Sequence, residues 1–225
     1  GYGHHHHCNF IKNMSFLDWF KSIFQPKQPL PMTFSGALKK SVSNRGVAPD
    51  PFLRDLIEWG RNATEEIFAP NNDSQDVFLC LKPILAPNGW TSPLHRRAAM
   101  LELMRVHAGF ESSWDWTEGV DKTNKTSMRL IQGQETGIFQ ASYDSLYLDD
   151  AANTGDDLKQ CILKYCGSLD IQKFITTMKA NKTFAMEYYA RLMRNSYKWA
   201  GPVLRHEIDR YLSKDAVSQF MGFLS

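Results

Sequence analysis

The sequence predicts a mostly α-helical domain, and three observations predict it. Asp50–Pro51 and Ser92–Pro93 each place a capping residue before a first-turn proline and open a stretch with apolar residues at helical spacing. Further stretches of helical length follow one another from residue 142 to the end. Only residues 128–141 could hold strands, and they have room for at most a small β-hairpin.

Residues 1–13 contain His4, His5, His6 and His7 in a row, which marks a tag or extension outside the fold rather than a metal site. Residues 14–45 read as an amphipathic helix and a proline-rich linker. Within Ser15–Phe24, the residues Phe16, Trp19, Phe20, Ile23 and Phe24 recur at helical spacing. Such a face packs on its own domain or touches a membrane or a partner. Gln25–Pro31, QPKQPLP, cannot stay helical. The main domain is then expected over 46–225. Its first helix starts at Asp50 as N-cap and runs to about Phe68, where Pro70 and the Asn71–Asn72–Asp73 cluster stop it. Residues 70–92 read as loop-rich, with Pro83, Pro87 and an Asn88–Gly89 turn. Ser92 caps the next helix, which reaches Trp114. Later helices are predicted near 142–150, 156–166, 168–180, 182–197, 202–212 and 213–223, with Ser168 and Ser213 as caps.

The 225 residues are 43% hydrophobic and 22% charged, which suffices for a core without disulfides or metals. A formal net charge of +2 gives no reason to expect nucleic acid, although it suits an anionic polymer. Cys8, Cys80, Cys161 and Cys166 lack the spacing of a disulfide framework or a CxxC motif. They read as reduced, partly buried thiols, with a Cys161–Cys166 bridge as the alternative in an exported protein. No apolar run approaches the ~20 residues of a spanning helix, so no integral membrane segment is expected. His95 and His206 have no partner at metal-ligand spacing, and no phosphate loop or nucleophile elbow is present. Neither metal nor cofactor is expected.

Glu111 stands out by helical phase. Ala108 and His107 lie one turn back, Met104 two and Met100 three, whereas Arg96, Arg97, Glu102 and Arg105 lie largely on other faces. Glu111 thus ends an apolar stripe, and an apolar setting favours the protonated carboxyl that a general acid uses. The alternative is a frayed helix end with the carboxylate in water. Trp114 and Trp116 follow at once, either as faces for sugar rings or as core. His107, one turn away, either tunes the acid or is a satisfied core histidine.

The stretch HAGFESSWDW, followed after a loop by ETGIFQASYDS, resembles the lysozyme-like superfamily, in particular lytic transglycosylases and goose-type lysozymes. The resemblance implies a lysozyme-like helical domain in which Glu111 of Glu111–Ser112 is the catalytic acid. It places Gly137–Ile138–Phe139–Gln140 on the floor of the substrate cleft. A third family element, an aromatic residue on a later helix, has no clean copy; AMEYYARLMRNS is the nearest candidate and Tyr189 the preferred residue. Glycoside hydrolysis usually uses a second carboxylate, whereas lytic transglycosylases manage with one. The candidates are Glu135, at the lip of the cleft motif, then Asp121, then Glu118. Gln140, Ser142, Tyr143, Trp114, Trp116 and Tyr189 are expected to bind sugars, with a helix cap as a second role for Ser142.

The implied activity is cleavage of peptidoglycan or a related amino-sugar polysaccharide, by hydrolysis or transglycosylation. A chitinase or chitosanase is the nearby alternative, and a non-catalytic glycan- or partner-binding module the distant one. The start of the chain shows no secretory signal pattern. Action at a cell wall or in the periplasm then calls for a dedicated delivery route, with a delivery or immunity protein as partner.

Overall fold

The computed structural model describes residues 15–24, 27–71, 73–119, 130–151 and 156–225. The chain divides into two units, Gly1–Leu30 and Pro31–Ser225. The first holds helix α1, Phe16–Phe24. The Asp18 amide donates to Ser15 Oγ at 3.1 Å, and that hydroxyl donates to Asp18 Oδ2 at 2.7 Å. This reciprocal cap starts the helix. Phe16, Leu17, Trp19 and Phe20 are exposed.

The second unit is helical, with no strand among the described residues. Its helices are α2 (Asp50–Asn62), α3 (Val77–Leu85), α4 (Pro93–Ser112), α5 (Asp156–Cys166), α6 (Ile171–Ala180), α7 (Lys182–Asn195), α8 (Gly201–Leu204) and α9 (Lys214–Leu224). Short 3-10 turns join them, the longest at Tyr143–Ala151. Helix α4 packs on α9, α2 and α3, while α7 gathers α5, α6 and the Tyr143–Ala151 turn. Ser92 caps α4 as predicted, accepting from the His95 amide at 3.1 Å, and Ser213 caps α9 in the same way.

Helix α4 is buried from Arg96 to Gly109. Polar side chains inside such a helix need partners. Arg96 donates to the carbonyls of Phe68 and Ala69 at 2.7 and 3.3 Å. Arg97 donates to those of Gly60 and Ala63, each at 2.6 Å. Glu102 and Arg105 pair at 2.5 Å with no side-chain exposure on either. Arg105 continues to the carbonyls of Lys40 and Tyr211, and Glu102 Oε2 accepts the Ser213 amide at 2.8 Å. Burial pushes the Glu102 carboxyl above its ordinary value, against the pull of Arg105.

Several sequence expectations are corrected here. The main domain starts well before residue 46. Phe34 meets Phe223 edge-on at 5.5 Å, the Leu38 amide donates to Gln219 Oε1 at 3.0 Å, and Val42 is fully buried. Residues 31–45 are therefore a strap on α9 rather than a linker. Asp50 does not cap its own helix; its Oδ1 accepts from the Phe34 amide and from Lys39 Nζ, each at 3.0 Å. The predicted first helix stops at Asn62, and a separate 3-10 turn covers Glu65–Phe68. The loop-rich 70–92 region holds α3, capped by Asp76, with Pro83 inside it. A proline there forfeits one helical hydrogen bond, to the carbonyl of Leu79, a residue 55% exposed. The helix expected at 202–212 breaks into α8 and a 3-10 turn, Asp209–Tyr211, because His206 takes a left-handed φ of 58°. The region of the small hairpin shows, from residue 130 on, only isolated bridges of Thr136 with Gly119 and with Ala141.

Cys80, Cys161 and Cys166 are free thiols, so the described cysteines carry no Cys161–Cys166 bridge; Cys8 lies outside the described residues. Among the described residues no helix is long and apolar enough to cross a membrane.

Breaking the Glu102–Arg105 pair from one side strands a buried guanidinium. Glu102→Ala is expected to cost about 3–5 kcal/mol in urea unfolding. An unfolding midpoint equal to that of the parent protein would contradict the pair's structural role.

Candidate active site

The C-terminal end of α4 is shaped by packing on its last turns. Ser113 and Trp114 both take left-handed backbone, at φ 53° and 62°. This folds the Trp114 indole back over Gly109, where a Cβ would collide with the ring, and lets Nε1 donate to the Arg105 carbonyl at 2.9 Å. The turn locks the helix end just after Glu111.

Ser112 ties that end to the second motif. Its Oγ lies 2.7 Å from the Ile138 carbonyl and 3.0 Å from that of Ala108. The Thr136–Ala141 turn closes on itself through reciprocal amide–carbonyl bonds of 3.0 Å. Gly137 sits in it at φ 80°, where a Cβ would come within 2.8 Å of Met178 Cγ. Only glycine tolerates both demands. Ile138 and Phe139 are buried, and Phe139 stacks on Tyr189 of α7 with ring centroids 4.0 Å apart. The two sequence motifs thus meet through a serine hydroxyl and an aromatic stack.

Glu111 lies where this assembly meets solvent, with 23% of its side chain exposed. His107 Nε2 is 3.1 Å from Glu111 Oε1, and His107 Nδ1 is 2.5 Å from the Tyr189 hydroxyl. The imidazole and the tyrosine are fully buried. Burial, with the Glu111 carboxylate second, pushes the Tyr189 phenol well above its ordinary value.

Glu111 lines a cavity of about 470 Å³ together with Glu135, Gln140 and Phe110. The facing residues come from one segment, Trp199 to Pro202, with Arg205 and Glu207 beyond it and Arg45 at another edge. Glu135 and Trp199 also line a second cavity of about 420 Å³, which contains Ser142 and Asp144. The two cavities share these residues as a common wall, giving a groove rather than a single pit. Arg205 pairs with Glu207 at 2.7 Å, whereas the Arg45 side chain has no partner among the described residues.

The predicted site residues divide on this geometry. Glu111, Glu135 and Gln140 are brought together. Gln140 Nε2 donates to the carbonyls of Gly137 at 2.7 Å and Glu118 at 3.2 Å, which leaves its Oε1 for a ligand. Ser142 sits in the adjoining cavity with its hydroxyl donating to Asp144 at 2.5 Å. Four residues expected to bind sugar do not line the groove. Trp114 is buried against Gly109. Trp116 lies beside Phe52, with Lys182 Nζ 5.4 Å from its ring centre. Tyr143 is buried and donates to the Leu169 carbonyl at 3.1 Å. Tyr189 is fully buried behind His107. In each case local packing or an internal acceptor claims the aromatic ring. Asp121 lies outside the described residues. Glu118 is exposed and absent from the groove lining.

Trp199, Arg45, Arg205 and Glu207 were not singled out from sequence. The half-buried Trp199 supplies the aromatic wall expected from Trp114 and Trp116. Its signal was a tryptophan between a helix end and the Gly201–Pro202 start. Among the described residues no group of three or more His, Cys, Asp or Glu side chains is arranged to hold a metal ion. No family model, curated protein or solved structure matches the chain.

The Ser112 hydroxyl is buried and joins two segments. Ser112→Ala is expected to lower stability by about 1–3 kcal/mol, read by urea unfolding, because the Ile138 carbonyl loses its donor. A change below a few tenths would mean that the turn is held without it.

Proposed function

We propose that this chain is a lysozyme-like glycosidase that cleaves peptidoglycan, as a muramidase or lytic transglycosylase, with Glu111 as general acid. The observation that carries the reading is that Glu111, Glu135 and Gln140, from two separate motifs, line one groove. Glu111 has one carboxyl oxygen hydrogen-bonded inside the protein and is partly exposed to the groove, the arrangement needed to protonate a leaving oxygen. Glu135 is the second carboxylate of the groove. In hydrolysis it stabilises the cationic transition state or activates water; in transglycosylation the substrate's own hydroxyl attacks and Glu135 is dispensable. Phe110 and Trp199 give apolar surface for sugar rings.

The groove holds acids and cations together, Glu111, Glu135, Glu207 and Asp144 with Arg45 and Arg205, and one acid is paired with Arg205. The guanidiniums suit the carboxylates of peptidoglycan, whereas the excess of acids is the feature that would favour a cationic polymer such as chitosan.

Glu111→Gln keeps the side-chain size and removes the acid. It is expected to fold and to lose roughly 10²–10⁴-fold in turnover of purified peptidoglycan. Full activity in this variant would overturn the assignment. Glu135→Gln separates the two chemistries when products are weighed by mass spectrometry. Loss of reducing-end products identifies a hydrolase, and continued release of anhydro ends identifies a transglycosylase.

A further inference from the structure

The hydrogen bonds behind Glu111 determine which of its two oxygens holds the acid proton. The Tyr189 hydroxyl is buried, and its one acceptor among the described residues is His107 Nδ1, at 2.5 Å. A buried O–H left without an acceptor is costly, so Tyr189 donates and Nδ1 accepts. A neutral imidazole that accepts at Nδ1 carries its proton on Nε2. A cationic imidazole would donate from both nitrogens and leave the Tyr189 proton with no acceptor. Nε2–H therefore donates to Glu111 Oε1, 3.1 Å away.

From this chain we infer that Tyr189 and His107 are positioning residues that hold the acid proton of Glu111 on Oε2. With Nε2–H directed at Oε1, a proton on that oxygen would face another donor. It belongs on Oε2, which has no partner among the described residues and belongs to a side chain that lines the groove. When Oε2 passes its proton to the glycosidic oxygen, the carboxylate formed keeps the Nε2–H bond. No other proton moves, and the donor stands ready for the charge that develops. The inference rests on Glu111 being the general acid.

Two measurements test it. Nitrogen-15 NMR of histidine-labelled protein, with the His107 signal assigned by its loss in His107→Gln, reads the tautomer without reference to activity. Neutral imidazole protonated on Nε2 is expected near pH 7. Tyr189→Phe keeps the ring against Phe139 and removes the donor to Nδ1. It is expected to stay folded, with a lower unfolding midpoint because the buried Nδ1 loses its donor, and to keep KM near that of the parent protein. Its kcat should fall roughly tenfold or more, a part of the general-acid contribution. The alkaline limb of its pH–rate profile, where the general acid loses its proton, should shift, while Arg45, Glu135, Arg205 and Glu207 remain around the acid as before. A His107 proton on Nδ1 in an active protein, or an unchanged kcat and pH profile in Tyr189→Phe, would overturn the inference alone. An Nε2–H imidazole in a protein without turnover on any amino-sugar polymer would overturn the glycosidase reading alone.

Discussion

A helix buried on every face cannot leave Arg96, Arg97, Glu102, Arg105 and His107 without partners, and this demand organises the second unit. Each side chain draws a different segment onto α4. Arg96 and Arg97 fix the backbone between Gly60 and Ala69, Arg105 fixes Lys40 and Tyr211, and Glu102 fixes the start of α9. Most of these acceptors are backbone carbonyls. The helix therefore prescribes where chain turns lie as well as which side chains touch it. The last polar residue in the series, His107, reaches Tyr189 on α7 and so links α4 to the group of helices around α7.

The same demand explains why the candidate acid lies at the end of α4. Inside the helix a carboxylate is answered in full, as Glu102 is by Arg105 and the Ser213 amide. Glu111 is two turns further on, where the α4 surface opens to the groove. Among the described residues it meets one buried donor and no cation at hydrogen-bond distance. The contrast between these two glutamates on one helix separates a structural acid from the proposed catalytic one. The first has its oxygens committed; the second, among the described residues, has one oxygen held and one unclaimed.

Much of this was legible in the sequence, and the misreadings share a cause. Ser92, Pro93 and Ser213 act through neighbours within a few residues, so their roles at helix starts follow from local order alone. The 156–166 helix follows from periodicity in the same way, whereas the apolar stripe behind Glu111 does not set that residue apart, since Arg96, Arg97, Glu102 and Arg105 on the other faces of α4 are buried too. Asp50 failed as a cap because Phe34 and Lys39, distant in sequence, take its carboxylate. Helix α3 was hidden by Pro83 and the turn residues after it, which outweigh an apolar run only nine residues long. Trp114 and Tyr189 are suited by chemistry to bind sugars, yet burial claims them. Which aromatic lines a groove is a tertiary fact, and Trp199 was legible only as a residue beside a break.

The groove is also where the backbone departs from its preferred conformations. Ser113 and Trp114 at the end of α4, Gln140 on the floor and His206 beyond the facing wall all have positive φ without being glycine. Such residues cost about 1–3 kcal/mol each and persist only where their surroundings over-determine them. At Trp114 the compensation is visible in the indole packed on Gly109 and bonded to Arg105. At Gln140 it is the side-chain amide tied to the Gly137 carbonyl of its own turn and to the Glu118 carbonyl. Both compensations hold Glu111 and the floor in fixed relation. The opposing wall is built from the short helical pieces Tyr197–Trp199 and Gly201–Leu204 with Arg205 and Glu207 after them. The α4 side carries the proposed acid and the shorter pieces carry the aromatic and cationic lining, so under the glycosidase reading variation in the facing segment changes what the groove accepts without moving Glu111.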